Sequence, residues 1–190
     1  MPISRDARGS AVYGVEVGVF DLATNERLPA TDGAGNQVDL VLVDQLKVIG
    51  PSSEIPPSAA RLDSNFGDQI TLAGYELGKA QSGQPLPITL YWQARSQIQS
   101  DYTVFLHLLN EAGEIVAQAD SPPQTGLYPT HWWDMGEKIA DARNVLLPSD
   151  LPAGDYRILV GLYLPETGER LPLVGNEGDS VALPAVEINH

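Results

Sequence analysis

The densest set of side chains able to recognise a ligand is Gly126-Leu127-Tyr128-Pro129-Thr130-His131-Trp132-Trp133-Asp134. An exposed indole offers a flat apolar face on which a pyranose ring can stack, and a neighbouring Asp or His can hydrogen-bond the sugar hydroxyls. Two adjacent tryptophans on an extended segment point to opposite sides. One can then anchor the interior while the other stays at the surface; in the alternative arrangement both indoles plug one end of the core. Tyr128, His131, Trp132, Trp133 and Asp134 are therefore the candidate ligand-binding residues, with a glycan or cell-surface polymer as the expected partner. Tyr91 and Trp92 sit together by the same logic, and Trp92 is expected in the core.

Catalytic chemistry has little to draw on. The histidines are His107, His131 and His190. No Gly-x-Ser-x-Gly elbow, His-Glu-x-x-His pair or phosphate-cradling Gly-rich loop occurs. Two carboxylates in a cleft suffice for glycoside hydrolysis, but loops as short as these rarely build one, so the carboxylates read as solvated surface charge. His107, Asp120, His131 and Asp134 could supply imidazole and carboxylate to a metal. Asp32-Gly33-Ala34-Gly35-Asn36 places oxygens near glycines, yet lacks the Asp-x-Asp-x-Asp-Gly order and closing glutamate of a calcium loop. The expectation is no catalytic residue, no cofactor and no metal.

Cysteine is absent, which removes disulfides, thiolate metal sites and thiol nucleophiles together. The formal net charge of −14 would repel nucleic acid and anionic membrane surfaces alike. No apolar run is long enough to span a bilayer, and residues 1–6 show no signal-peptide core. The 18 glycines and 15 prolines favour many turns and short strands over long helices.

The elements that must hold these residues are strands, and part of them occurs twice. At an offset of 143, Tyr13–Val43 matches Tyr156–Val186 without gaps at 12 of 31 positions, including an identical Glu-Arg-Leu-Pro block at 26–29 and 169–172. Each copy opens with an apolar, β-branched run, Val12–Phe20 or Tyr156–Tyr163, and then turns. Gly168 stands where the turn requires a positive φ; its counterpart is Asn25, the non-glycine residue that tolerates that conformation best. Other expected strands are Val38–Val48, Ile70–Leu77, Leu86–Gln93, Tyr102–Leu109, Ile115–Asp120, Asn144–Leu147 and Ser180–Ile188. The pattern predicts an all-β, antiparallel two-sheet sandwich, immunoglobulin-like, with an N-terminal partial repeat. Residues 1–50 read as the C-terminal part of a preceding sandwich unit, or as added hairpin strands. Residues 51–64 read as a Pro-rich linker and 65–190 as a complete unit. The period places roughly 90 residues of the first unit upstream.

Within that unit stand the blocks Asn65-Phe66-Gly67-Asp68, Leu72–Leu77, Leu90-Tyr91-Trp92-Gln93-Ala94, Asp101–Leu108, Tyr128-Pro129-Thr130, Gly161-Leu162-Tyr163 and Thr167–Pro172. Over residues 65–173 the chain resembles the C-terminal extracytoplasmic β-sandwich module of Chloroflexus-type membrane proteins associated with dolichyl-phosphate-mannose-type glycosyltransferases. That resemblance implies an accessory domain outside the membrane, at the cell surface, carried by a membrane-anchored parent and contributing no catalytic residues. Three roles follow as expectations: a non-catalytic interaction module contacting carbohydrate, a structural spacer, or an acceptor-positioning part of a membrane glycosyltransferase. Neighbouring repeat units are a further expected partner; nucleic acid and direct membrane insertion are not.

Overall fold

Alternating apolar and polar residues divide the chain into short strands joined by glycine- and proline-bearing turns. The computed structural model describes residues 10–38, 41–50 and 53–188. Its first strands are β1 (Ala11–Val17), β2 (Ala30–Thr31), β3 (Gln37–Val38) and β4 (Val41–Val48). There follow β5 (Ala60–Phe66), β6 (Ile70–Leu77), β7 (Pro85–Ala94), β8 (Thr103–Leu109) and β9 (Ile115–Gln118), then β10 (Lys138–Leu146), β11 (Gly154–Tyr163), β12 (Ser180–Ala182) and β13 (Val186–Ile188).

Strands β5 to β13 form an antiparallel two-sheet β-sandwich of immunoglobulin-like design. One sheet has the order β10-β7-β6-β5; the other runs β12-β11-β8-β9, with β13 also paired to β11. Leu86, Ile88, Leu90 and Trp92 of β7 are buried at every second position, as are Val104, Leu106 and Leu108 of β8 and Tyr156, Ile158, Val160 and Leu162 of β11. That period of two turns one face of each sheet inward, and the facing layers make one core. Trp92, as expected, lies within it, edge-on to Phe66 at 6.1 Å between ring centres.

Strand β10 is longer than the expected Asn144–Leu147. Its inward residues are Ile139, Asp141, Arg143 and Val145, so a charged pair occupies two core positions. Arg143 Nε donates to Asp141 Oδ2 at 2.7 Å. Its other nitrogens donate to the Ser121 hydroxyl and carbonyl, both at 3.0 Å, while the Gln124 backbone N–H donates to Asp141 Oδ1 at 2.8 Å. Ser121 bridges to Val104 of β8, so the pair ties the edge of one sheet to the other. The expected linker 51–64 also ends earlier than its sequence implies, since β5 begins at Ala60. Residues 60–64 are largely polar because β5 is an edge strand, paired with β6 alone; Pro51 and Ser52 lie outside the described residues.

Strands β1 and β4 pair with each other in a separate antiparallel ribbon. The repeat reappears here as geometry. Asp21 N–H donates to Glu26 O at 2.9 Å, Asn25 N–H to Asp21 O at 2.8 Å and Leu28 N–H to Val19 O at 2.8 Å. At the same offset of 143, Leu164 N–H donates to Glu169 O, Gly168 N–H to Leu164 O and Leu171 N–H to Leu162 O, at 2.9, 2.8 and 2.8 Å. Asn25 has φ 57° and Gly168 φ 74°. The copies part after the turn: Tyr13 lies opposite Leu46, whereas Tyr156 lies opposite Val186, the counterpart of Val43. Pro184 lies in the gap between β12 and β13, where a proline cannot donate to a ladder. Val41 takes its place in the first copy, so β4 runs unbroken.

Candidate functional site

The loop between β9 and β10 carries the expected ligand-binding residues, and its prolines shape it. Pro123 opens one tight turn (Pro123–Gly126), in which Gln124 and Thr125 take left-handed torsions (φ 50° and 56°), and Pro129 precedes a second, 3₁₀ turn (Thr130–Trp132). Thr130 fixes the second turn: it is buried, donates to Ser100 O at 2.6 Å and accepts from Tyr102 N–H at 2.9 Å.

This geometry sorts the five candidates. Tyr128 and Trp133 are completely buried and are corrected from surface contacts to core. Trp133 Nε1 donates to Tyr128 O at 3.1 Å, which satisfies the indole inside the protein. The Tyr128 hydroxyl lies 2.8 and 3.0 Å from the Glu137 oxygens. Burial pushes the Tyr128 phenol up to about 12; Lys47 opposes that rise and Glu137 adds to it. Trp132, His131 and Asp134 remain at the surface or half-buried. Of the two indoles Trp133 is the anchor, while Trp132 is half-buried and packs against the edge of the core.

The ribbon completes the surroundings of Trp132. Lys47 of β4 reaches Trp132 O at 2.6 Å, Asp134 Oδ2 at 2.7 Å and Glu137 Oε2 at 3.4 Å, and sits 5.4 Å from the Tyr128 ring centre. Burial disfavours its ammonium, but Asp134, Tyr128 and Glu137 together outweigh that and raise its pKa. Val12 N–H donates to Leu127 O at 2.9 Å, and Ser10 Oγ donates to Glu137 Oε1 at 2.8 Å. Between ribbon and loop lies an open recess of about 360 Å³ walled by Leu42, Val43, Asp44, Gln45 and Trp132. Its lining combines one indole, two aliphatic chains, a carboxylate and an amide. Beside it, the His131 ring lies 5.3 Å from that of Trp132, tilted by 44°, and holds Asp101 at 2.6 Å from Nδ1. Trp132 Nε1 is buried without a hydrogen-bond partner.

The metal-ligand candidates do not assemble. His107 faces Asp120 at 3.5 Å and His131 faces Asp101, as two separate pairs. Among the described residues no group of three or more His, Asp or Glu side chains could hold an ion. The Asp32 loop is a tight turn closed on itself. Its carboxylate accepts from the Asn36 side chain and from the backbone N–H groups of Ala34 and Asn36, which lowers its pKa, the Asn36 side chain most of all.

A second concavity, which the sequence did not single out, lies on the outer face of the β11–β8 sheet. Phe105, His107, Asp120, Tyr163, Gly168 and Arg170 line about 220 Å³. The Arg170 guanidinium lies 4.4 Å over the Phe105 ring and pairs with Asp179 at 3.1 Å. Strand alternation puts Phe105 and His107 on one face in sequence; only cross-strand pairing brings Arg170 and Asp120 to them.

No family model matches the chain, and no curated protein matches it. Solved structures do. The chain is similar to the C-terminal domain of wzt, with 14% identity and a TM-score of 0.43, over 71% of this chain and 80% of that one. It is also similar to the CARDB domain of the PF1109 protein from Pyrococcus furiosus, solved in complex with di-metal ions, with 12% identity and a TM-score of 0.38, over 72% of this chain and the whole of that one.

Proposed function

We propose that this chain is a non-catalytic interaction module that works outside the cytoplasm and contacts carbohydrate at the Trp132 recess. The observation that carries the reading is the half-buried indole of Trp132 beside the Asp44 carboxylate and Gln45 amide in one open concavity. A sugar offers an apolar ring face to the first and hydroxyls to the others. The nearby acid–base groups are engaged in fixed pairs, His131 with Asp101 and Glu137 with Lys47 and Tyr128. Such groups position surfaces rather than move protons. The extracytoplasmic place is supported by the resemblance over residues 65–173.

A single shallow site of this kind binds weakly, and neighbouring units would compensate through multivalency. Glycan-array screening followed by calorimetry on the full chain tests the reading. Wild type should retain a subset of glycans, and Trp132→Ala should lose at least about tenfold in affinity, or roughly 1.4 kcal/mol. Gln45→Ala, exposed and away from the core, should weaken the same glycans. A wild-type chain that retains no glycan leaves the spacer role; equal binding by wild type and both variants moves the contact elsewhere.

A further inference from the structure

The ribbon exposes an apolar face that its own repeat shows how to cover. Among the described residues, 12 of the 17 large hydrophobic side chains left exposed fall between Tyr13 and Ile49, so the patch belongs to the ribbon. Alternation and the β1–β4 register put Tyr13, Val15, Val17, Leu46 and Val41 on one side. Lys47, Gln45 and Leu42 lie on the other side, towards the Trp132 loop. The second copy shows what such a face does in a finished unit. Tyr156, Ile158, Val160, Leu162, Leu171 and Val186 are at most 8% exposed. Their counterparts Tyr13, Val15, Val17, Val19, Leu28 and Val43 are between 42% and 62% exposed. Identical turn bonding with opposite burial means that the ribbon has the shape of a sandwich tail without the body that closes over it.

The edges agree. Strand β11 lies between β8 on one side and β12 and β13 on the other. Strand β1 has β4 on one side and, among the described residues, no strand on the other. Beyond Val12, whose N–H is taken by Leu127 O, the backbone donors and acceptors of Gly14 and Glu16 are thus open beside the apolar face, and edge and face need the same thing: a β8-like strand backed by an apolar sheet. A second copy of this chain cannot offer it, because its own body is already closed by β11, β12 and β13. We propose that the ribbon is covered by the body of another sandwich unit of the same type, joined ahead of it as residues 60–153 are joined ahead of β11. This does not depend on the sugar-binding reading, since it is argued from the burial of the second copy and the open edge of β1, although Val43 and Asp44 border both the apolar face and the Trp132 recess.

The test begins with the coding sequence in frame ahead of Met1, which should encode roughly 90 residues with the strand pattern of β5 to β10. Hydrogen exchange is then compared between the polypeptide as encoded and the 190-residue chain. Amides of Gly14 and Glu16, which point to the open edge of β1 as that of Val12 does, should gain at least about a hundredfold protection in the longer polypeptide. Val17→Asp should abolish that gain while leaving the melting temperature of the 190-residue chain unchanged. Val160→Asp, the counterpart in the closed unit, should lower that melting temperature and so calibrate the effect of a charge in a covered position. A stop codon immediately upstream overturns the proposal. So does an upstream body that folds without protecting β1, or a 190-residue chain that protects β1 by concentration-dependent self-association in sedimentation velocity.

Discussion

Asp141 and Arg143 show what one buried pair does to both stability and legibility. Both charges sit in the core of β10, where removing one partner strands the other in a medium that cannot solvate it. Arg143→Met should cost about 3–5 kcal/mol in urea unfolding, whereas Asp141→Leu with Arg143→Met should recover most of that loss. Recovery would also show that the pair orders the sheet edge rather than supplying net stability. The same two residues broke the apolar alternation of β10, which is why only its last part was readable from sequence. Trp132 and Trp133 make the opposite point: their adjacency allowed either one inward and one outward indole or two inward ones, and did not say which would be the anchor. Thr130, anchored to Ser100 and Tyr102, sets the phase of that turn, and these partners lie about thirty residues away in the chain.

Hairpin turns carry the repeat most faithfully. Both copies close the same hydrogen bonds around a residue with positive φ, and Asn25 and Gly168 were readable as that position because few other residues adopt it cheaply. Gly168→Ala should destabilise the sandwich by about 1–2 kcal/mol, with Gly168→Asn costing clearly less, as chemical denaturation of the two variants would reveal. Gly161 is constrained differently. A Cβ there would run into the Phe105 ring and stand 2.6 Å from Asp179 O, so it is close approach rather than backbone torsion that requires glycine. Nothing local marks Gly161 apart from Gly168; only the neighbouring strand does.

For the whole molecule, the phenols define an alkaline limit. Tyr91 is pushed up to about 12 by burial and by Glu76, which accepts its hydroxyl at 2.6 Å, and Tyr128 reaches about 12 as well. A phenol that keeps its proton longer folded than unfolded contributes stability fully present below about 10, the ordinary tyrosine value, and lost as pH rises towards the folded value. Lys47, also raised, acts in the same direction. Urea midpoints should therefore hold steady from neutral pH to about 9.5 and fall between about 10 and 12. Tyr91→Phe should flatten that fall; an unchanged slope would mean that Tyr91 contributes none of it.

Composition, the twofold tail and period-two alternation were enough to define an all-β sandwich, its turns and most of its strands, because each is a local property of backbone torsion and side-chain polarity. Pairing was not local. The register that shifts β4 by three residues relative to β13, the edge strand β5, the choice of Trp133 as anchor and the meeting of Trp132 with Asp44 and Gln45 all depend on which distant segments share an edge or a face. Cross-strand hydrogen bonds and burial settle those questions only when the sheets close, and no run of neighbouring residues encodes them alone.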